Sequence, residues 1–348
     1  MHFNKTVTIG PARISPDSRT FIIAEAGVNH GGDMGLAKKL IDLASDSGAD
    51  AVKFQTFKAE HLILRSVKKA SYQLKTTDPC ESQFEMLRRL EVTKEQNMML
   101  KKYCRKKGII FLTTPFDEFS LDSLDSLDLP AYKIASTDLT NLPFLKKAAK
   151  KGKPIILSTG MSYLKEVKLA LQEIYPFNKN VILLQCTANY PIRNTEANLN
   201  IISTFKDTFD ILVGYSDHTV GIGALPYAVA LGAKVVEKHF TLSKRLPGPD
   251  HKASLNPGEL KEAVREIRRV EQFLGSYVKI PVASELHTRL ALQKCLVASR
   301  FIGKGELLSE KNIVAKRTGG AGISPVFYRR IIGRRARRDF EADDCIAI

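Results

Sequence analysis

The sequence predicts an α/β protein: a (β/α)8 TIM barrel followed by a small β-rich C-terminal domain. Eight short apolar, β-branched runs predict it first: Phe21–Val28, Ala51–Phe57, Gly108–Pro115, Ala131–Ser136, Pro154–Gly160, Val181–Ala188, Ile211–Asp217 and Ala233–Thr241. Each is apolar nearly throughout rather than alternating, the pattern of strands covered on both faces. Helical patterns separate most of them, at Met34–Ser47, Thr93–Lys107, Leu142–Lys151, Leu164–Ile174 and Val220–Leu231. Gly48, Gly108, Gly152 and Gly232 follow four of these, where a chain leaves a helix through a left-handed residue. An open doubly wound sheet is the rival, but no Gly-rich dinucleotide loop follows the first run.

Two features interrupt the repeat. Lys58–Leu90 is far longer than the ~2–6 residues usual between strand and helix, and in a barrel it overhangs the top face. Helix Pro257–Leu274 closes the barrel and ends at Gly275. The reading is therefore a barrel domain over residues 1–275, a Pro-containing linker over 276–288 and a second domain over 289–348. In that last part Leu296–Phe301, Asn312–Lys316 and Cys345–Ile348 read as short strands, and Arg329–Arg338 carries six arginines.

Composition excludes some functions. With 44% apolar and 26% charged residues in 348, wholesale disorder is ruled out. The net charge of +16 permits an anionic partner but selects none. No aromatic residue interleaves with the arginine run, so a solvated surface or the rim of an anion site is expected there rather than a nucleic-acid interface. The five cysteines form no Cys-x-x-Cys pair, so neither a zinc ribbon nor a disulfide framework is expected. No signal-peptide core and no run of ~18 apolar residues occurs, and the expected location is cytoplasmic, away from membranes.

In a barrel, polar residues at the C-terminal strand ends face the active site. Lys53 and Lys133 interrupt otherwise apolar runs, and lysine is almost never buried without a partner or a purpose. With Ser136, Ser158 and Ser216 they form a cationic, hydroxyl-rich pocket for a phosphate or carboxylate. A Schiff-base lysine of an aldolase is the other functional reading, and a basic nucleic-acid binder the reading from another class. His218 and His239 end neighbouring strands, with Glu237 and Asp250 close in sequence. Two imidazoles with open positions suit a divalent ion such as Mn²⁺ or Mg²⁺. A three-histidine zinc site would need His251 or His30.

These motifs, in order and spacing, resemble the bacterial sialic acid synthases, covering N-acetylneuraminate and legionaminate synthases. The resemblance rests on Ala24-Glu-Ala-Gly-Val-Asn-His-Gly-Gly, Val52-Lys-Phe-Gln-Thr, Tyr132-Lys-Ile-Ala-Ser, Ile156-Leu-Ser-Thr-Gly-Met, Gly214-Tyr-Ser-Asp-His-Thr, Glu237-Lys-His-Phe-Thr and Leu246-Pro-Gly-Pro-Asp-His-Lys. Val314-Ala-Lys-Arg-Thr-Gly-Gly and Ile332-Gly-Arg-Arg-Ala-Arg-Arg-Asp are similar to the SAF (antifreeze-like) domain that ends such enzymes. The resemblance implies condensation of phosphoenolpyruvate with an open-chain N-acylmannosamine-type sugar, N-acetylneuraminate being the leading product and N,N′-diacetyllegionaminate the alternative. It implies that Lys53, Thr114, Lys133, Ser136, Ser158 and Ser216 hold phosphoenolpyruvate, that His218 and His239 hold the metal, and that Glu237 handles protons beside it. Glu25, Gln55, Tyr190 and Asp250 would contact the sugar. Arg317 would reach the partner's barrel in a domain-swapped homodimer. The chain departs from the family at Ala188, where an Asn or Ser is usual and Asn189 is the expected substitute, and at Thr318, where proline is usual.

Overall fold

The computed structural model describes residues 1–69, 71–74, 77–78 and 80–348. The chain divides into two compact units, Met1–Gly275 and Ser276–Ile348. In the first, all eight runs are strands: β1 (Phe21–Gly27), β2 (Ala51–Thr56), β3 (Ile110–Pro115), β4 (Tyr132–Ile134), β5 (Ile155–Ser158), β6 (Val181–Cys186), β7 (Leu212–Asp217) and β8 (Val235–His239). They form one sheet in the order β3-β2-β1-β8-β7-β6-β5-β4. Every pairing is parallel, and β8 ladders onto β1. The sheet is thus a nearly closed barrel with its seam between β3 and β4.

Side chains alternate between the two faces of a strand, and that alternation builds the site. Phe21, Ile23, Ala51, Leu112, Ile156, Ile182, Leu212 and Val235 pack together inside the barrel. A hairpin, Val7–Ile9 with Ala12–Ile14, adds Val7, Ile9 and Ile14 to the same cluster. Two residues further along each strand, the same parity delivers Glu25, Lys53, Thr114, Ser158, Leu184, Gly214 and Glu237. Apolar floor and polar ceiling belong to one face of one sheet.

The flanking helices are α1 (Met34–Asp46), α2 (Gln83–Leu90), α3 (Lys94–Lys107), α4 (Glu118–Ser123), α5 (Leu142–Lys150), α6 (Leu164–Ile174), α7 (Ile201–Phe209), α8 (Leu225–Ala230) and α9 (Pro257–Leu274). Asp33 caps α1, Thr93 and Gln96 close a capping box on α3, and Asn256 with Glu259 does so on α9. Gly48, Gly108, Gly152 and Gly232 all take positive φ, as expected.

Several expectations need correction. The helix expected from Val220 begins only at Leu225, because Gly221 and Gly223 take positive φ and a Cβ at Gly223 would lie 1.7 Å from Thr219 Oγ1. The long segment over residues 58–90 has helices of its own. It contains a short helix, Ala59–Leu62, and α2, whose Met86 and Leu90 pack against Val28 and Phe57. Residues 70, 75, 76 and 79 of that expected overhang lie outside the described residues.

In the second unit, part of the segment read as a linker is helix α10 (Ala283–Leu292), started by Glu285 accepting from the Val282 N–H. Ala283, Leu286 and Leu290 share one face of this helix, but the helix buries none of its residues, and so short an apolar pattern beside Pro281 does not announce it. Strands β9 (Lys294–Ala298) and β10 (Ile313–Arg317) pair antiparallel around Leu296, Ala298, Ile302, Leu308 and Phe340. The strand expected at Cys345–Ile348 reduces to a single bridge from Cys345 to Val297.

Candidate active site

At the C-terminal ends of the strands lies a cavity of about 420 Å³, within the ~300–1,000 Å³ usual for small-molecule sites. Glu25, Lys53, Gln55, Thr114, Lys133, Ser136, Ser158, Tyr190, Ser216, His218, Glu237, His239 and Asp250 all line it. Arg317 belongs to the other unit, on β10, where it is exposed.

One side of the cavity is a charge web. Lys53 and Lys133 are each only 3% exposed. The Lys53 Nζ lies 2.8 Å from Glu25 Oε2 and 3.6 Å from Glu237 Oε2, and donates to Thr114 Oγ1 at 3.0 Å. The Lys133 Nζ donates to Ser158 Oγ at 2.6 Å and stands 3.7 Å from Glu237 Oε1. Ser216 donates to Glu237 at 3.1 Å, and Gln55 to Glu25 at 3.2 Å. Both lysines therefore pair with carboxylates, and those carboxylates line the cavity themselves. Glu237 stands between the lysines, on the strand that ends in His239.

Environment splits the two acids. Burial pushes Glu25 up to about 7, against the pull of Lys53 and with Glu237 adding to the rise. Burial also raises Glu237, but Lys133 and Lys53 outweigh it and hold the carboxyl below its ordinary range. One acid is thus half-protonated near neutrality while its neighbour stays ionised, the pattern of an acid and base pair. Burial lowers Lys133; it acts the same way on Lys53, where Glu237 and Glu25 reverse it and hold the ammonium charged.

The other side carries aromatic rings. His218 and His239 have ring centroids 5.9 Å apart, and Tyr190 packs on them at 4.1 and 5.4 Å. The His218 Nδ1–H donates to the Thr187 carbonyl at 2.7 Å, so Nε2 carries the free lone pair once the ring is neutral. Burial lowers its pKa, but Cys186 and the Thr187 carbonyl outweigh burial and raise it, so a metal would have to displace that proton. The His239 Nδ1 is buried without a hydrogen-bond partner, 3.9 Å from Asp250 Oδ2. Burial, then the positive charges of His218, Lys53, Lys238 and Lys133, hold His239 neutral, the form that binds metal. Burial lifts Asp250 to about 6. An orphaned imidazole nitrogen beside an oriented one fits a divalent ion with its other positions open to water and substrate. Among the described residues no group of three or more His, Cys, Asp and Glu has ligand spacing. Neither His30 nor His251 lines this cavity, so the three-histidine alternative is not assembled among the described residues.

Residues that sequence reasoning did not single out form the mouth: Gln73, Gln83, Met86 and Leu87 from residues 58–90, with Phe116 and Met161. Phe116 directly follows β3 and Met161 lies just beyond β5, while the other four come from the long segment after β2, whose length was the one hint. Ala188 also lines the cavity. Asn189, its expected substitute, instead accepts from the Tyr190 N–H. At the other departure, the Thr318 hydroxyl donates to the Ala321 carbonyl, and Gly319 and Gly320 between them take positive φ.

Comparison with known proteins agrees with this architecture. The NeuB family matches residues 40–279 and the SAF domain residues 293–347. The chain is 48% identical, over 94% of its length and 99% of the relative's, to an N,N′-diacetyllegionaminic acid synthase of Campylobacter jejuni. It is 39% identical to the human N-acetylneuraminate-9-phosphate synthase, over 94% of this chain and 91% of that one. Among solved structures, an N-acetylneuraminic acid synthetase from Leptospira borgpetersenii superposes with a TM-score of 0.73 at 36% identity, over 84% of this chain and 98% of that one. The Bacillus subtilis spore coat polysaccharide biosynthesis protein SpsE does so with a TM-score of 0.68 at 38% identity, over 98% of both. With the barrel, its C-terminal companion and nearly full-length likeness all in agreement, the chain belongs to the NeuB family and carries a C-terminal SAF domain.

Proposed function

We propose that this nonulosonic acid synthase condenses phosphoenolpyruvate with open-chain 2,4-diacetamido-2,4,6-trideoxymannose and water, giving N,N′-diacetyllegionaminate and phosphate. The observation that carries the synthase reading is the meeting of Lys53, Lys133 and four hydroxyls with two imidazoles over one cavity. The mouth supports the choice of sugar. Met86, Leu87, Leu90 and Phe116 suit a C6 methyl group, while Gln55, Gln73 and Gln83 suit amide groups. The Campylobacter likeness points the same way. N-acetylmannosamine, giving N-acetylneuraminate, is the second reading, favoured by the human and Leptospira likenesses.

Lys53 and Lys133 neutralise the phosphate and carboxylate, with Thr114, Ser136, Ser158 and Ser216 donating to their oxygens. Carbon 3 of phosphoenolpyruvate attacks the aldehyde carbon, water adds at carbon 2, and the C–O bond to phosphate breaks. Glu25, near 7, is the group able to protonate the oxygen formed at the sugar's carbon 1. Glu237, held ionised, is the group able to take the proton of the adding water. His218 and His239 would hold a divalent ion, Mn²⁺ or Mg²⁺, which supplies Lewis-acid polarisation of the aldehyde oxygen when bound. Tyr190 and Asp250 line the side where the sugar would lie.

Phosphate release measured side by side with the two sugars tests this. The diacetamido sugar should give the higher kcat/KM. A preference for N-acetylmannosamine overturns the choice of sugar, and no phosphate with either overturns the synthase reading. A borohydride-trapped lysine adduct with pyruvate would instead support the aldolase.

A further inference from the structure

The outward faces of β7 and β8 hold a charged pair that this chemistry does not use. Ser216 and His218, like Glu237 and His239, face the cavity. Asp217 and Lys238 therefore point the other way, into the layer between barrel and helices, where Lys238 borders a small void with Leu225, Leu255, Leu260 and Ile267. Their side chains are 0% and 3% exposed, and the two residues are direct partners in the ladder. The Lys238 Nζ donates to Asp217 Oδ2 at 2.6 Å and to the Thr219 carbonyl at 2.7 Å. Asp217 Oδ1 accepts from the Thr219 N–H at 2.9 Å, the Thr219 hydroxyl at 2.8 Å and the Tyr215 hydroxyl at 3.2 Å.

Stability does not account for this arrangement. Desolvating two charges in an aliphatic layer is costly, and well-packed apolar residues often replace a buried ion pair at no loss. What an apolar pair lacks is direction. Residues 217 and 219 flank His218, and both are tied to residue 238, which precedes His239. The two histidine-bearing backbones are thus joined behind the cavity by one lysine. Gly223, which leaves room for the Thr219 hydroxyl at the centre of this web, is required by the same packing.

We infer that Asp217 and Lys238 are positioning residues: their ion pair, extended through Thr219, sets the separation at which His218 and His239 share one divalent ion. The inference rests on the metal reading proposed above. Outer groups that orient metal ligands typically change metal affinity by ~10- to 100-fold when removed, so the measurement is Mn²⁺ binding to the substrate-free protein, by equilibrium dialysis or the electron paramagnetic resonance signal of free Mn²⁺.

The double variant Asp217→Asn/Lys238→Met keeps volume, buries no charge, and retains an amide oxygen able to accept from the Thr219 N–H and the Thr219 and Tyr215 hydroxyls. It is expected to keep its Tm within a few degrees while its Kd for Mn²⁺ weakens by ~10- to 100-fold. Wild-type Mn²⁺ affinity in the folded double variant overturns the inference alone. Absence of Mn²⁺ binding by the wild-type protein overturns the metal reading, and the role of the pair with it. Should the double variant not fold, Thr219→Val removes the central hydroxyl without stranding a charge. Its Kd should weaken several-fold at unchanged Tm, and an unaltered Kd again overturns the inference.

Discussion

Lys53 and Arg317 are two cations in one chain with opposite settings. Lys53 is buried in a web of four partners that are themselves site residues: Glu25, Glu237, Thr114 and, through Glu25, Gln55. Arg317 ends an edge strand of the SAF domain, exposed and without an ion pair among the described residues. The barrel residue is held in place before substrate arrives. The SAF residue is free to be ordered by something else, at an entropic cost to a long side chain. The comparison teaches where preorganisation lies: the barrel builds a pocket around Lys53, and the SAF domain builds no ion pair around Arg317 among the described residues.

The same contrast decided what the sequence could reveal. A lysine inside Ala-Val-Lys-Phe-Gln has no solvated place to go, so burial made Lys53 and Lys133 legible. Strand-end geometry did the same for His218 and His239. Glu237 was legible as a site residue, with proton handling implied by the resemblance, but its charge state was not: that follows from its position between Lys53 and Lys133. Gln73, Gln83 and Leu87 escaped because they come from the long connection after β2, where Gln83 and Leu87 lie on α2 and no sequence signal tells which residues of such an insertion turn to the cavity. Helix α10 escaped because its apolar face is only Ala283, Leu286 and Leu290, a pattern too short to stand out beside the proline of the preceding stretch.

The largest effect should come from breaking the web. Lys53→Met leaves Glu25 and Glu237 with Lys133 as their remaining close cation. Removing one partner of a buried pair usually costs ~3–5 kcal/mol, and a phosphoenolpyruvate contact ~10²–10⁴ in kcat/KM. Both losses are expected. Adding Glu25→Gln should then recover much of the Tm and none of the activity. Recovery of activity with Tm would make Lys53 structural.

His239→Ala should be a cleaner lesion, because a buried neutral imidazole with an unpartnered nitrogen contributes little to the fold. We expect Tm at or above the wild-type value, no Mn²⁺ binding, and a fall in kcat/KM of ~10²–10³, equivalent to ~3–4 kcal/mol of lost charge stabilisation. Full activity in this variant, or in wild-type protein after exhaustive chelation, removes the metal from the reaction.

A third test concerns a buried histidine outside the cavity. His30 is sealed from water, and burial lowers it to about 4 from 6.5, against the pull of Asp33. A folded value below the unfolded one means stability that is present above pH 6.5 and lost as pH falls through 4. Glu25 and Asp250, raised to about 7 and about 6, act in the opposite direction over an overlapping range. The wild-type curve alone therefore mixes opposing contributions, and the difference from a variant is what reports. His30→Asn retains an acceptor for the Gly32 N–H. Relative to it, wild type should lose ~3 kcal/mol between pH 6.5 and 4. A difference independent of pH would show that His30 titrates normally in the folded state.

The smallest effect, and the one that probes the reach of the SAF domain, belongs to Arg317. We propose that in a domain-swapped homodimer its guanidinium offers paired donors to an acyl or hydroxyl oxygen of the sugar in the partner's barrel. Losing such a contact costs ~1–3 kcal/mol, so Arg317→Ala should raise KM for the amino sugar ~5- to 150-fold and leave KM for phosphoenolpyruvate nearly unchanged. Every barrel group named above remains intact in this variant. The His239→Ala protein has the converse defect: its barrel is dead and its arginine sound. If the arginine acts between subunits, mixing the two variants and allowing subunits to exchange creates heterodimers with one complete site, an intact barrel facing an intact Arg317. Activity at subsaturating sugar should then exceed the sum of the two parents. An arginine that serves its own barrel gives no such gain, because each chain in the mixture still carries one broken part. Equality with the summed parents, under conditions where exchange is shown by mass-tagged subunits, would place Arg317 in its own chain's site or outside any site.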